Sequence, residues 1–243
     1  MRVAVVTPYY RESDLVLARC LDSVANQTHP CTHILVADGF PNPLAECRPD
    51  VIHLKLERSH DDNGDTPRGI GADLALSQGF EALAFLDADN WYQARHVETL
   101  VRLHGKTDAS VLVAGRSFHR ADGSEIEGFR EQGDGLHYAD TSCLMLTGKA
   151  MDMAPLWAAI PKPLAPICDR IFWQMLMAHG FKTAISAQRS VAFTTQYTQH
   201  FLAVGEPPPD GAKDGRQSQA AAAWWNALSP DEQNRLNRIM GFP

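Results

Sequence analysis

Asp87-Ala88-Asp89 follows the apolar run Leu83-Ala84-Phe85-Leu86. Two carboxylates closing an apolar strand suffer desolvation unless something compensates their charge. If both side chains turn toward a crevice, the pair suits a hard divalent cation, Mg²⁺ or Mn²⁺, bridging phosphate oxygens. The other reading places their charge at the start of a helix beginning at Asn90-Trp91. Arg68 opens a helix in Arg68-Gly69-Ile70-Gly71. It offers either a fixed cation with donors for a nucleotide or a surface ion pair. The two glycines do not make a dinucleotide fingerprint, because the third position is Leu74. Asp169 begins another helix, as a general base at the helix mouth or as an N-terminal cap. His200 is a metal-ligand candidate or a packed side chain. Asp61-Asp62-Asn63-Gly64-Asp65 resembles the start of a calcium loop, but Thr66 and Ala72 stand where glycine and glutamate are needed. It reads as a solvated turn.

The elements around these residues alternate strand and helix over the first 90 residues. Val3 to Val6 is a strand buried on both faces. Ser13 caps a helix from Asp14 to about Ala25, with Leu17, Leu21 and Val24 on one face. Ile34 to Ala37, Val51 to Leu56 and Leu83 to Leu86 are further strands, and Arg68 to Phe80 is a helix. This rhythm predicts a mostly parallel sheet with helices on both faces, and ligands gather at the carboxyl ends of such strands. Tyr9, Asp38 and the Asp87–Asp89 pair lie at those ends. Beyond Trp91 the pattern predicts a helix to about His104, a strand at Val111 to Ala114 and a hairpin turn at Asp122-Gly123. A strand over 137–146, a helix over Lys149 to Ala159 and a helix over Asp169 to Ala178 follow. Two strands, Lys182 to Ala187 and Val191 to Thr195, complete the sheet. Residues 205 to 219, with Pro207-Pro208-Pro209-Asp210-Gly211, read as a polar linker. Helices at Ala220 to Leu228 and after the capping box Ser229-Pro230-Asp231-Glu232 end the pattern.

The chain has 243 residues and a formal net charge of -7. That balance argues against nucleic acid as a partner. No apolar run approaches the ~20 residues of a spanning helix, and the amino-terminal stretch is too short for a signal peptide. The five cysteines are odd in number and form no C-x-x-C pair, which points to a reducing compartment. A cytoplasmic location, or the inner face of a membrane, is expected. Neither a P-loop nor a Gly-x-Ser-x-Gly elbow is present.

Several strings occur in a telling order: Val3-Ala4-Val5-Val6-Thr7-Pro8-Tyr9-Tyr10, Leu21-Asp22-Ser23-Val24-Ala25-Asn26-Gln27-Thr28 and Ile34-Leu35-Val36-Ala37-Asp38-Gly39. Asn63-Gly64, Arg68-Gly69-Ile70-Gly71 and Phe85-Leu86-Asp87-Ala88-Asp89-Asn90 follow. Over about the first 100 residues this resembles the GT-A nucleotide-sugar glycosyltransferases of the family-2-like group. The resemblance thins beyond and returns at Cys168-Asp169 and His200. It implies an α/β, Rossmann-type sandwich with a mostly parallel central sheet.

By that resemblance Thr7, Pro8 and Tyr9 line a nucleobase pocket, Tyr9 stacking on the base, and Asp38 accepts from the base. Arg68 lies beside base and phosphates, Asp87 meets the ribose or metal, and Asp89 binds the metal. Asp169 corresponds to the catalytic base of inverting members, and His200 to an extra metal ligand. The sequence departs from the family's Asp-Asp-Gly with Ala37-Asp38-Gly39, and from its Glu-Asp with Cys168-Asp169. The implied activity is metal-dependent transfer of a sugar, UDP-linked before GDP-linked, to an acceptor hydroxyl with inversion. A nucleotidyltransferase and a non-catalytic nucleotide-sugar binding subunit are the alternatives. One domain over 1–204 is expected, with a nucleotide-binding half at 1–104 and an acceptor half at 105–204, followed by a linker and helical tail at 205–243.

Overall fold

Val3–Tyr9 forms β1, buried at every position, as a strand covered on both faces must be. The computed structural model describes residues 1–128 and 137–243. α1 (Asp14–Ala25) starts at Ser13, whose hydroxyl accepts from Val16 N, and it buries Leu17, Cys20, Leu21 and Val24. β2 (Cys31–Ala37) follows, then a short α2 (Pro43–Glu46) with Asn42 at its N-cap, then β3 (Val51–Lys55). α3 (Asp65–Ser77) starts at Asp65 rather than Arg68 and leads into β4 (Ala82–Phe85).

Asp87 and Asp89 cap no helix. After them comes a short strand, β5 (Trp91–Tyr92), and α4 (His96–Thr107) begins only at His96. β6 (Val111–His119) ends just before the turn expected at Asp122-Gly123, which forms: Gly123 takes φ +91°, its N donates to Arg120 O at 2.9 Å, and His119 bridges Glu125 antiparallel. Of the strand expected over 137–146, β7 (Leu144–Thr147) alone is strand, preceded by a 3₁₀ turn over Thr141–Cys143. Residues Gly148–Ala159 form 3₁₀ turns instead of an α-helix, since Pro155 inside the segment has no N–H for the helical ladder. Lys162–Ile167 is again 3₁₀ and runs into α5 (Cys168–Ala178). The two strands expected near 182–195 are one, β8 (Thr183–Thr194), with register shifts against β6 between Val113 and Arg116. A short α6 (Thr198–Leu202) follows.

The sheet has eight strands in the order β3-β2-β1-β4-β7-β6-β8-β5. β3, β2, β1 and β4 are mutually parallel, and β7 runs antiparallel to both β4 and β6. Tyr9 pairs with Ala37 and Val6 with Phe85, so three carboxyl ends lie side by side. The loop residues beyond them, Asp38 and Asp87 to Asp89, therefore share one edge.

The two glycines of α3 serve packing. A Cβ on Gly71 would stand 2.6 Å from Val6 Cγ1, and one on Gly69 would stand 2.8 Å from Pro155 O and Ala158 N. Absent side chains let α3 settle onto β1 and onto the 148–159 segment.

The stretch read as a linker is tied down. Lys213 N donates to Gln196 O at 2.7 Å and Thr198 N to Lys213 O at 2.9 Å, a parallel bridge to Tyr197. α7 (Arg216–Ala227) starts at Arg216, earlier than expected, and α8 (Pro230–Met240) carries the Ser229–Glu232 capping box. Ala221 and Met240 are buried in the main core, with Trp224 and Trp225 packed against it.

Candidate active site

The shared strand edge opens into a cavity of about 560 Å³. Of the residues singled out from sequence, Pro8, Tyr9, Asp38 and Arg68 line it. So do Asp87, Asp89, Asp169 and His200. Thr7 does not. It is 0% exposed, and its hydroxyl is hydrogen-bonded with His33 Nε2 at 2.8 Å between β1 and β2. Burial pushes His33 down to about 3, so the pair is neutral. Thr7 lies within β1, two residues short of its carboxyl end at Tyr9, and its side chain is covered on the sheet face where it meets His33.

Tyr9 borders the cavity, but its ring belongs to a closed cluster with Leu17, Leu21 and Leu35. Its hydroxyl accepts from Asn42 N at 2.7 Å and is hydrogen-bonded with His53 Nε2 at 2.9 Å. At 3% exposure it cannot offer the open face that base stacking requires. The exposed ring at this strand end is Tyr10, edge-on to Phe40 at 4.9 Å. Asp38 is also engaged: His60 N and Nδ1 and the Ser59 hydroxyl all reach its carboxylate within 3.1 Å.

Arg68 is buried, not a surface cation. It donates to Asp65 Oδ1 at 2.9 Å and Asp87 Oδ1 at 2.8 Å, with its guanidinium 4.7 Å from the Trp157 ring centre. Burial alone would lower its proton affinity, but Asp87 and Asp65 more than offset that and raise it. Asp65 itself is pushed up to about 7 by burial, against the pull of Arg68 and the Cys168 thiol. The acidic run is thus only partly a solvated turn. Asp61 is exposed and paired with Lys162, whereas Asp62 and Asp65 are buried at the start of α3.

The loop carrying the two aspartates is fixed by polar contacts. Ser142 Oγ accepts from Asp87 N and Asn90 Nδ2, Asn90 Oδ1 accepts from Thr194 N, and the Thr194 hydroxyl donates to Asp89 O. The Asp89 carboxylate, among the described residues, receives a single long hydrogen bond, from Gln196 Nε2 at 3.4 Å. Burial, then the neighbouring charges of Asp87, Glu12 and Asp140, push Asp89 up to about 7. A hard oxygen donor whose charge is opposed in this way fits a divalent cation, which would relieve the repulsion. His200 sits on α6 with Nδ1 hydrogen-bonded to the Thr195 hydroxyl at 2.6 Å. Among the described residues no group of three His, Cys, Asp or Glu side chains converges on one metal position. A cation at Asp89 would therefore complete its shell with ligand oxygens and water.

Asp169 lies in the first turn of α5, where Ile167 is the N-cap and makes no side-chain cap bond. Its Oδ1 accepts from Arg170 N at 2.8 Å. Burial and the charge of Asp140 push Asp169 up to about 6, which poises it to accept a proton near neutral pH. Asp140 is not legible as a site residue in the sequence because it belongs to no motif. It accepts from Ser142 N at the 141–143 turn and pairs with Arg116, reaching the cavity from between β6 and β7. Asp65 carries a legible signal, its i,i+3 spacing to Arg68 on one helix face.

The sequence model of Glycosyl transferase family 2 matches residues 4–141. An uncharacterized glycosyltransferase, R139, of Acanthamoeba polyphaga mimivirus is 29% identical over 124 residues. That match covers 42% of this chain and 50% of the viral protein, so the chain spans about half the length of the curated relative it matches. Among solved structures, S. aureus TarS residues 1–349 in complex with UDP superposes with a TM-score of 0.61 at 14% identity, covering 98% of this chain and 79% of that one. The same TarS fragment with UDP-GlcNAc gives 0.59 at 12% identity, with the same coverages. The expected GT-A fold is borne out, with a more mixed sheet than the strand–helix rhythm predicted.

Proposed function

The chain belongs to glycosyl transferase family 2, and we propose that it moves a sugar from a UDP-sugar to an acceptor hydroxyl with inversion at the anomeric carbon. The observation that carries this reading is the gathering of Asp38, Asp87, Asp89 and Asp169 from separate chain segments around one cavity. Donor residues come from the 1–104 half and the base from the 105–204 half.

The ends of β1 and β2 form the base-binding wall in this reading, with Pro8, Tyr9 and the Ser59–His60 turn held by Asp38. Arg68 keeps the Asp87 carboxylate oriented toward the ribose side. Asp89, with His200 as a candidate second ligand, would hold Mn²⁺ or Mg²⁺. A cation there supplies Lewis-acid stabilisation to the departing diphosphate. Asp169 takes the proton from the acceptor hydroxyl. The hydroxyl oxygen bonds to the anomeric carbon, the bond from that carbon to the phosphate oxygen breaks, and its electron pair leaves with the diphosphate. General-base assistance of this kind contributes about 10²–10⁴-fold.

The UDP and UDP-GlcNAc complexes of the structurally similar TarS support a uridine diphosphate donor. No helix among the described residues is long and apolar enough to cross a membrane, and all five cysteines are free thiols. The free thiols support a cytoplasmic site of action. The test is product analysis with a panel of nucleotide sugars, an acceptor panel and Mn²⁺. Release of UDP supports the proposal. Release of pyrophosphate would assign a nucleotidyltransferase, and binding without turnover of any donor would assign a non-catalytic subunit.

A further inference from the structure

The cavity is rich in carboxylates. Glu12, Asp38, Asp87, Asp89, Asp140 and Asp169 all line it. A diphosphate adds more negative charge, so the positive groups at the cavity matter. Arg68 is committed to Asp65 and Asp87, and Arg116 to Asp140. Arg170 follows the candidate base on α5, its guanidinium 5.2 Å from the Tyr138 ring centre. Lys213 and Arg170, unlike Arg68 and Arg116, are exposed and make no salt bridge among the described residues, and both line the cavity. They differ in what they face: the charge of Arg170 acts on Asp169, that of Lys213 on Asp89.

Its position is nevertheless fixed. The backbone of Lys213 is joined to Gln196 and Thr198, immediately after β8, through two hydrogen bonds of 2.7 and 2.9 Å. Nζ lies 5.8 Å from the Tyr197 ring centre. Lys213 is also the cation whose charge favours the ionised form of Asp89. Gly215 and Ser218, at the start of α7, line the same wall, so the positive end of that helix faces the cavity too. The ammonium makes no hydrogen bond or ion pair among the described residues, and its four-carbon stem is long enough to follow a ligand.

We propose that Lys213 is a further catalytic residue, its ammonium donating to a terminal phosphate oxygen of the bound nucleoside diphosphate sugar and to the leaving diphosphate. The proposal rests on the transferase reading above. It also extends the site to residue 213, well past the residues 4–141 that the family shares. Lysine remains protonated throughout. It receives no electron pair and transfers no proton, and it holds the oxygen that gains charge as the anomeric bond breaks.

The experiment compares Lys213→Met and Lys213→Arg with the intact protein. UDP and uridine are titrated calorimetrically with and without Mn²⁺, and donor turnover is measured in parallel. Because the anchoring contacts of Lys213 are main-chain, both variants should melt with the wild type. Expected is a loss of about tenfold in UDP affinity for Lys213→Met. Uridine affinity should be unchanged, and Lys213→Arg should restore most of the loss. A kcat decrease larger than the KM change would accompany it. Equal UDP affinity in wild type and Lys213→Met would overturn the proposal, as would an equal loss for uridine. If the wild type binds UDP yet releases none from any donor, the transferase reading fails while the UDP–uridine comparison still decides Lys213. Binding of neither ligand by the wild type overturns both.

Discussion

Arg68 Nη2 donates to Asp87 Oδ1 at 2.8 Å, while Asp89, two positions on, lies within salt-bridge distance of no lysine or arginine among the described residues. The two carboxylates of one short loop therefore have different characters. Asp87 is held and compensated. Asp89 is crowded by like charges and poised to accept a cation. Compensation of Asp87 and Asp65 by one buried guanidinium gives Arg68 a structural role. Arg68→Met should lower stability by about 3–5 kcal/mol, because it strands two carboxylates. Thermal denaturation would register this as a drop of about 6–20 °C.

Asp89→Asn separates function from stability. Donor turnover should fall at least about 100-fold, by analogy with loss of other charge-stabilising groups. Without added metal the variant should be more stable than wild type at neutral pH. Asp89 is raised to about 7 in the folded protein from an ordinary value of 3.8. Between those values the folded state binds the extra proton, so stability of the wild type declines as pH rises from about 4 to 7. Across that window the decline is at most about 1.4 kcal/mol for every pH step of one, and solvent in the cavity reduces it. A gain of about 1–2 kcal/mol, measured by melting at pH 7.5 and vanishing near pH 4, is expected.

Turnover should carry an acid limb set by Asp169, raised to about 6. Below that pH the base is protonated and kcat falls about tenfold for every step of one in pH, whereas above it the rate levels off. Asp140 contributes to the raised value, and its partner Arg116 opposes it. Asp140→Asn should therefore move the limb to lower pH, which a kcat–pH profile would show. Asp169→Asn should abolish the limb and about 10²–10⁴ of the rate, with UDP affinity retained.

Gly71→Ala tests the packing account of the α3 glycines. Its Cβ would meet Val6 Cγ1 at 2.6 Å, and Val6 lies in a fully buried strand with little room to move. The overpacking cost of about 1–3 kcal/mol should outweigh the roughly 1 kcal/mol that alanine gains in helix propensity. A fall in denaturation midpoint would bear this out.

The strand ends and their aspartates are legible because buried parallel strands read as continuous apolar runs, and Asp38, Asp87 and Asp89 interrupt those runs. Ser13 and Ser229 are equally plain, since capping chemistry is local. What stays hidden depends on contacts distant in sequence. Thr7 is expected in the cavity, yet it sits inside β1, short of the strand end, and is covered there by its contact with His33. Arg68 gives no local sign that it will be buried against Asp87. Residues 205–219 are polar and proline-rich, but their anchoring at Gln196 is a backbone bridge that no side-chain pattern announces. The 148–159 segment carries helix-forming residues around Pro155, and the proline prevails.

The central claim is that Asp89 marks the place where a diphosphate and its cation bind. Calorimetric titration of UDP with Mn²⁺ into the wild type and into Asp89→Asn tests it most directly. The wild type should bind UDP more tightly with Mn²⁺ than without, and Asp89→Asn should show no such gain. Equal metal-dependent tightening in both proteins, or no UDP binding by the wild type at any Mn²⁺ concentration, would contradict it.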